Sequence, residues 1–148
     1  MVNRFERFSY AISEISRCWH RIAGEEMSKY NLKGSYSVYF TTLYHSQEGL
    51  TATRLAELCS RDKADVSRAM SLLEKKGLVT RDEPDGKSYR ALLRLTEPGR
   101  EVAQHINGRA EAAVEQASLG LSDENRRIFY EALELITNNL QKLSRDGL

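Results

Sequence analysis

The stretch "DKADVSRAMSLLEKKGLVTRDEPDGKSYRALLRLTEPG", residues 62–99, places a short amphipathic helix directly before two apolar runs that flank a charged turn. Asp62 is a suitable N-cap for the helix, which is expected to run to about Lys76, and Gly77 then ends it. The runs "LVTRDE" and "YRALLRLT" predict two strands. The segment "PDGKS" between them predicts a turn, because Asp-Gly favours tight hairpins. The stretch therefore predicts a helix followed by a β-hairpin.

A helical wheel divides the predicted helix into two faces. One face is apolar and is expected to be buried; it consists of Val66, Ala69, Met70 and Leu73. The opposite face is small and basic; it consists of Lys63, Ala64, Ser67, Arg68 and Ser71. Small side chains allow a close approach to base edges, and an arginine can bind guanine bidentately or contact a phosphate. We predict that this face enters the major groove of DNA; the alternative is an ordinary solvated helix face.

The residues before the quoted stretch predict the first helix of a helix-turn-helix. Thr51 is a suitable N-cap for "ATRLAELC", a helix expected to direct Leu55, Ala56 and Leu58 inward, and "SRD" forms the turn to the next helix. In such a pair, the start of the second helix reads the major groove. The predicted DNA-binding set also includes three residues at the start of the first helix, Thr51, Thr53 and Arg54.

Basic side chains continue into the predicted hairpin. Lys87 follows the Asp-Gly turn and is expected at the tip, where a cation can enter the minor groove. Arg81 is expected to contact phosphate, and Arg90 completes the set of candidate contacts. Three acidic residues in the same hairpin offset these charges, so a solvated hairpin of mixed charge is the alternative.

Long helices with narrow apolar stripes are predicted at both ends of the chain. The first stripe contains Phe5, Phe8, Ile12 and Ile15, and the last contains Phe129, Leu133, Ile136, Leu140 and Leu143. Their spacing of three and four residues places each set on one helix face. We predict that both stripes form a dimer interface; the alternative is a bundle within one chain.

Two further helices complete the predicted fold. One runs from about Ser35 to His45, where the tyrosines and threonines leave a strand as the alternative, and the other runs from Thr96 to about Ser118. The fold class is therefore mainly α with a small β-hairpin wing. It comprises a winged helix-turn-helix lobe and a helical dimerisation region formed by the N- and C-terminal helices.

Composition excludes several classes of protein. The net charge is only +1, yet residues 51–100 hold 11 Lys/Arg and 8 Asp/Glu, a net of +3, so the remainder carries −2. No apolar window is long enough to span a membrane and no signal peptide is evident, so a cytoplasmic location is expected. We find no phosphate loop, nucleophile elbow or paired metal ligands, and therefore expect neither an enzyme nor a cofactor.

The order of these elements resembles the MarR family of winged-helix regulators over essentially the whole chain. The most specific pieces are "VSRAMSLLEKKGLVTR" and "LLRLTEPG", with a hairpin of matching length between them. The resemblance implies a single domain over residues 1–148. In it, residues of about 1–34 and 100–148 form the dimerisation region, and residues of about 35–99 form the DNA-binding lobe.

The resemblance also implies a function. Family members are homodimers that bind pseudopalindromic double-stranded DNA, usually repress transcription, and in many cases release DNA when a small, often phenolic, ligand binds. The family's wing usually carries Asp-x-Arg, whereas this chain reads "DGKSYR". Lys87 therefore stands nearest to the usual wing arginine and Arg90 lies further along, which leaves open which of them reaches DNA.

Sensing has two candidate sites. Aromatic residues of the first two helices predict a pocket for a small aromatic ligand, made of Tyr10, Trp19, His20, Tyr36 and Tyr39, with core and dimer packing as the alternative. A redox-responsive regulator is the other alternative. However, Ser9 falls where one branch of the family has its cysteine, and Cys18 and Cys59 lie elsewhere. A winged helix that binds a protein partner instead of DNA is the remaining alternative.

Overall fold

The computed structural model describes residues 3–83, 86 and 90–148. Within these residues the elements follow in the order α1 (Arg4–Ser28), a 3₁₀ turn (Gly34–Tyr36), α2 (Ser37–Tyr44), α3 (Ala52–Cys59), α4 (Lys63–Lys75), β1 (Val79–Asp82), β2 (Leu92–Leu95), α5 (Glu97–Ala117) and α6 (Asp123–Asp146). The predicted fold class, mainly α with a small β-hairpin, is confirmed. The second helix is a helix and not a strand.

Side-chain caps place the helix starts where the sequence predicts them. Thr51 accepts a hydrogen bond from the Arg54 amide at 3.2 Å, and Asp62 accepts one from the Asp65 amide at 2.8 Å. Each bond satisfies a backbone donor that has no partner inside its helix. Gly77 ends α4 with a φ of +73°, a conformation that costs glycine little.

The chain divides into two compact units, Met1–Arg109 and Ala110–Leu148. The hydrophobic core of the first unit draws on the end of α1, on α2, α3 and α4, on both strands and on the first half of α5. Its largest fully buried side chains are Tyr39, Phe40, Met27, Leu43, Leu55, Met70, Leu73, Leu93, Val66 and Val79. This core fixes the positions of α3, α4 and the hairpin.

The second unit contains the end of α5 and all of α6. Ser122 caps α6 by accepting a hydrogen bond from the Asn125 amide at 3.1 Å. No residue of α6 is buried, although the structure describes the whole helix. The apolar stripe predicted on this helix is therefore exposed in the single chain.

The hairpin is antiparallel and has a third partner. Val79 pairs with Leu95 and Asp82 with Leu92. Leu50, in the connection between α2 and α3, adds to the outer edge by exchanging two backbone hydrogen bonds with Leu93, at 3.1 and 2.8 Å. Both bonds tie the base of the hairpin to the helix-turn-helix.

A close junction joins the hairpin to α5. Thr96 donates from Oγ1 to the Gly77 carbonyl at 2.7 Å, and its own amide donates to the Leu78 carbonyl at 3.0 Å. Gly99 packs so tightly that a Cβ there would lie 2.0 Å from the Leu78 carbonyl oxygen. The end of β2 is therefore held beside the end of α4.

Candidate nucleic-acid interface

The exposed face of α4 is the one that the helical wheel predicts. Its inner residues, Val66, Ala69, Met70 and Leu73, are at most 1% exposed. The outer residues are all exposed: Lys63, Ala64, Ser67, Arg68 and Ser71. The predicted orientation of the helix is confirmed. The DNA contacts assigned to these side chains remain predictions.

One orientation on α3 is predicted wrongly. Leu58 is 47% exposed, whereas Cys59 is buried together with Leu55 and Ala56. Leu55 and Cys59 are four residues apart and share a helix face, so Cys59 lies at the centre of the buried arc and Leu58 beyond its edge. Thr53 and Arg54 lie on the exposed side of the same helix.

Three candidate arginines have acidic neighbours. Arg68 donates from Nη2 to Oδ1 of Asp65 on the same helix. The remaining pairs join Arg54 to Glu57 at 3.1 Å and Arg81 to Glu74 at 3.4 Å. The Arg81 side chain is only 25% exposed, so less of it is open to a phosphate than of Arg54 or Arg68. The sequence reasoning missed these pairs, although i,i+3 spacing could have indicated the first two.

The hairpin contacts that the structure describes lie at its base. Arg94 on β2 donates from Nε to the Glu48 carbonyl at 3.0 Å and lies 3.5 Å from Asp82 on β1. Arg90 is exposed. The predicted tip contact, Lys87, lies outside the described residues, as does most of the predicted turn.

The predicted aromatic pocket is only partly assembled in the described residues. Tyr36 and Tyr39 have ring centroids 6.0 Å apart. Tyr39 is 2% exposed, and burial raises the pKa of its hydroxyl above the ordinary value. Tyr10, Trp19 and His20 are exposed on α1. The single chain therefore brings two of the five residues together.

Two polar contacts that the sequence did not predict join α5 to the end of α1 and to the turn that follows it. The Tyr30 hydroxyl lies 2.9 Å from Nδ1 of His105, and Arg109 lies 3.6 Å from Glu25. A separate cavity of about 300 Å³ is lined by Leu43, Ser46, Gln47, Arg94, Leu95 and Arg100. None of the predicted aromatic residues lines that cavity.

The two cysteines have different environments. Cys18 is exposed on α1. Cys59 is buried, and its thiol is 3.4 Å from the Thr42 hydroxyl, which accepts a hydrogen bond from it. Desolvation by burial raises the pKa of this thiol above its ordinary value of 9.0. In the described part of the chain no cluster of His, Cys, Asp and Glu is suited to hold a metal ion.

No helix in the described ranges combines the length and the apolar character that crossing a membrane requires.

Known proteins share this sequence pattern and this architecture. The sequence profile of the MarR family matches residues 30–88. A Bacillus subtilis (strain 168) protein, the uncharacterized HTH-type transcriptional regulator YdgJ, is 30% identical over 103 residues. The alignment covers 70% of this chain and 62% of that protein, so the chain spans less than two thirds of this relative.

Solved structures share the fold over nearly the whole chain. A MarR transcriptional regulator from Methanosarcina mazei Go1 has a TM-score of 0.81 at 23% identity, covering 93% of this chain and 99% of that one. A putative MarR family transcriptional regulator from Listeria monocytogenes, complexed with a 26mer DNA, has a TM-score of 0.80 at 23% identity, covering 93% of each chain. At this identity the similarity establishes the fold.

The helix-turn-helix, the paired strands and the long flanking helices define a winged-helix protein. Residues 30–88 match the MarR family of regulators, and solved MarR regulators share the fold over nearly the whole chain. The matched family and the fold are those of transcriptional regulators rather than enzymes.

Proposed function

We propose that the protein is a dimeric transcriptional regulator that binds a pseudopalindromic site in double-stranded DNA. The observation that carries the proposal is the exposed outer face of α4, small at Ala64, Ser67 and Ser71 and basic at Lys63 and Arg68. The Listeria relative was solved with DNA, which supports the same use of the fold here. A DNA target also places the protein in the cytoplasm.

The recognition step follows from the position of this face. The start of the second helix of a helix-turn-helix enters the major groove, where an arginine can bind O6 and N7 of guanine. Arg68 is the residue of this face best suited to that contact, and Lys63 and Ser67 can bind bases or phosphates. Thr51, Thr53 and Arg54 at the start of α3, and Arg81, Lys87 and Arg90 of the hairpin, complete the proposed contacts.

Dimerisation would place two such faces on one DNA. The stripe of α6 is 36–46% exposed and that of α1 is 41–75% exposed, so both apolar faces lack cover within one chain. We expect a second copy of the chain to pack against both faces, because large exposed apolar patches mark interaction sites. Two recognition helices then contact half-sites about one helical turn, or roughly 34 Å, apart.

We propose further that the regulator is a repressor released by a small aromatic ligand. This rests on the family resemblance and on the aromatic residues Tyr10, Trp19, His20, Tyr36 and Tyr39. Of the two cysteines, Cys59 is the less suited to a redox response, because it is buried and the pKa of its thiol is raised. A reporter gene behind the selected site tests the direction of regulation, since a repressor lowers its expression.

Selection of bound duplexes from a random pool by the purified protein tests DNA recognition. We expect an enriched inverted repeat, and we expect Arg68→Ala to relax one position in each half-site. A folded dimer that enriches no sequence, before and after refolding to remove any bound ligand, would contradict the proposal. That result would favour the use of the winged helix in binding a protein partner.

A further inference from the structure

We propose that Asp65 is a specificity-determining residue of the DNA interface. Its carboxylate, held by Arg68, accepts a hydrogen bond from the amino group of cytosine or adenine in the major groove and repels base edges that present only acceptors. The inference rests on the proposed function, and it assigns a negative residue to an interface otherwise described by its cations.

The position of Asp65 fits this role. It lies in the first turn of α4, and its amide donates to the Asp62 side chain at 2.8 Å. The Asp62 side chain supplies the cap of α4, and the hydrogen bond of the Asp65 carboxylate is with Arg68. Its side chain is 46% exposed. The first turn is also the part of a recognition helix that comes closest to the bases.

The ion pair with Arg68 orients both side chains. The guanidinium uses Nη2 to bind Oδ1 of Asp65, which leaves its other donors available. Exposed pairs of this kind contribute little to stability. We therefore expect the pair to act in recognition. It restricts the side-chain conformation of Arg68 and offsets the positive charge that would attract any phosphate.

Base chemistry gives the pair a defined target. A carboxylate only accepts hydrogen bonds, whereas a guanidinium only donates them. In the major groove cytosine N4 and adenine N6 donate, while guanine offers O6 and N7 as acceptors. Asp65 and Arg68 together therefore match a guanine with an amino-bearing base on the same pair or the adjacent pair. A sequence that places a guanine or thymine at that point presents acceptors there, and the carboxylate then gains no hydrogen bond from the base.

The test compares two variants that each remove one negative charge beside an arginine. Asp65→Asn alters the recognition helix. Glu57→Gln is the matched control, because Glu57 pairs with Arg54 at the same i,i+3 spacing on α3. The dissociation constant of each protein is measured by fluorescence anisotropy for the selected duplex and for a scrambled duplex of equal composition, at one salt concentration. Circular dichroism confirms that each variant is folded.

Glu57→Gln should strengthen binding to both duplexes by a similar factor, because it removes one negative charge and frees Arg54 on the helix that crosses the DNA backbone and reads no base. Asp65→Asn should strengthen binding to the scrambled duplex but not to the selected one, lowering their affinity ratio about tenfold. Repeated selection with Asp65→Asn should also lose the preference for the amino-bearing base. Equal factors for both variants on both duplexes would overturn the inference alone. A wild-type protein with no preference between duplexes would overturn the proposed function and the inference together.

Discussion

The guanidinium of Arg94 donates from Nε to the carbonyl oxygen of Glu48, 46 residues earlier in the chain, at 3.0 Å. Its Nη1 lies 3.5 Å from the carboxylate of Asp82 on the neighbouring strand. Beside it, Leu50 and Leu93 exchange two backbone hydrogen bonds. One side chain thus connects both strands of the hairpin to the segment that leads into α3.

Replacing Arg94 with methionine keeps much of the aliphatic stem and removes both polar contacts. We expect a loss of about 1 kcal/mol in the free energy of unfolding, because the Glu48 carbonyl loses a charged donor. Urea denaturation at one fixed protein concentration measures it, since the stability of a dimer depends on concentration. Arg54→Met is the control and should change stability by less than about 0.5 kcal/mol. Equal losses in the two variants would show that the Arg94 contacts are unimportant.

The contrast between two glycines of α5 gives a second prediction. Gly99→Ala should destabilise the protein by about 2 kcal/mol or more, because its Cβ would lie 2.0 Å from the Leu78 carbonyl oxygen. Gly108→Ala should stabilise it by about 0.5–1 kcal/mol, because no atom lies within 4 Å of the added Cβ and alanine favours helix. Thermal or urea unfolding measures both. A tolerated Gly99→Ala would mean that α5 and the Leu78 carbonyl can move apart without cost.

The wing contact left open by the sequence is tested through salt dependence. Lys87→Ala should reduce the slope of log affinity against log salt by about 1.8 for the dimer, if that cation neutralises one phosphate in each half-site at about 0.9 each. Arg90→Ala should show the same reduction if Arg90 makes the contact instead. Lys142→Ala, on α6, is the control and should leave the slope unchanged. An unchanged slope for both hairpin variants would remove the wing from the phosphate contacts.

The proposed dimer interface is tested on α6. Leu133→Gln should shift the protein towards monomer, because it places a polar side chain within the apolar stripe. Glu134→Gln creates the same residue one position later, off the stripe, and should leave the dimer intact. Sedimentation at micromolar concentration measures both. A stable dimer in the Leu133 variant would show that the stripe is covered in some other way.

The buried thiol predicts a pH dependence. Burial raises the pKa of Cys59 above 9.0, so the folded protein holds this proton more tightly than the unfolded chain. Its contribution to stability is present below pH 9 and is lost as pH rises through the folded pKa. In a Cys18→Ser variant, a thiol reagent should therefore modify Cys59 more slowly in native protein than in urea at pH 8, and the pH profile should shift upward. Equal rates would show that Cys59 is accessible and unperturbed.

Periodicity predicted the orientation of α4, because a 13-residue helix with one buried side carries a clear pattern. On the eight-residue α3 the same reasoning misplaced Leu58, since so short a helix leaves the edge of its buried arc poorly defined. The strands also proved shorter than predicted: β1 is Val79–Asp82 and β2 is Leu92–Leu95. Leu78 and Thr96, which flank the strands, share one backbone hydrogen bond but lie outside the paired register.

Contacts distant in sequence could not be predicted from pattern. The Tyr30 and His105 side chains meet across 75 residues, and Leu50 adds a single residue to the hairpin edge. Such contacts depend on how the helices pack, and a single residue has no sequence periodicity from which its contact could be predicted. The i,i+3 spacing of Asp65 and Arg68 indicates that they can pair. The side-chain rotamers that form the pair are fixed only in the folded chain.

The bonds between Thr96 and the Gly77–Leu78 segment bring the two ends of the hairpin side by side. The strands themselves belong to the core, so only the residues between Asp82 and Leu92 form an exchangeable cassette. Because closing a longer loop costs only slightly more entropy, the cassette can be lengthened, shortened or exchanged at its tip while the core keeps its shape. Evolution and engineering can therefore graft new wing tips onto an unchanged recognition helix.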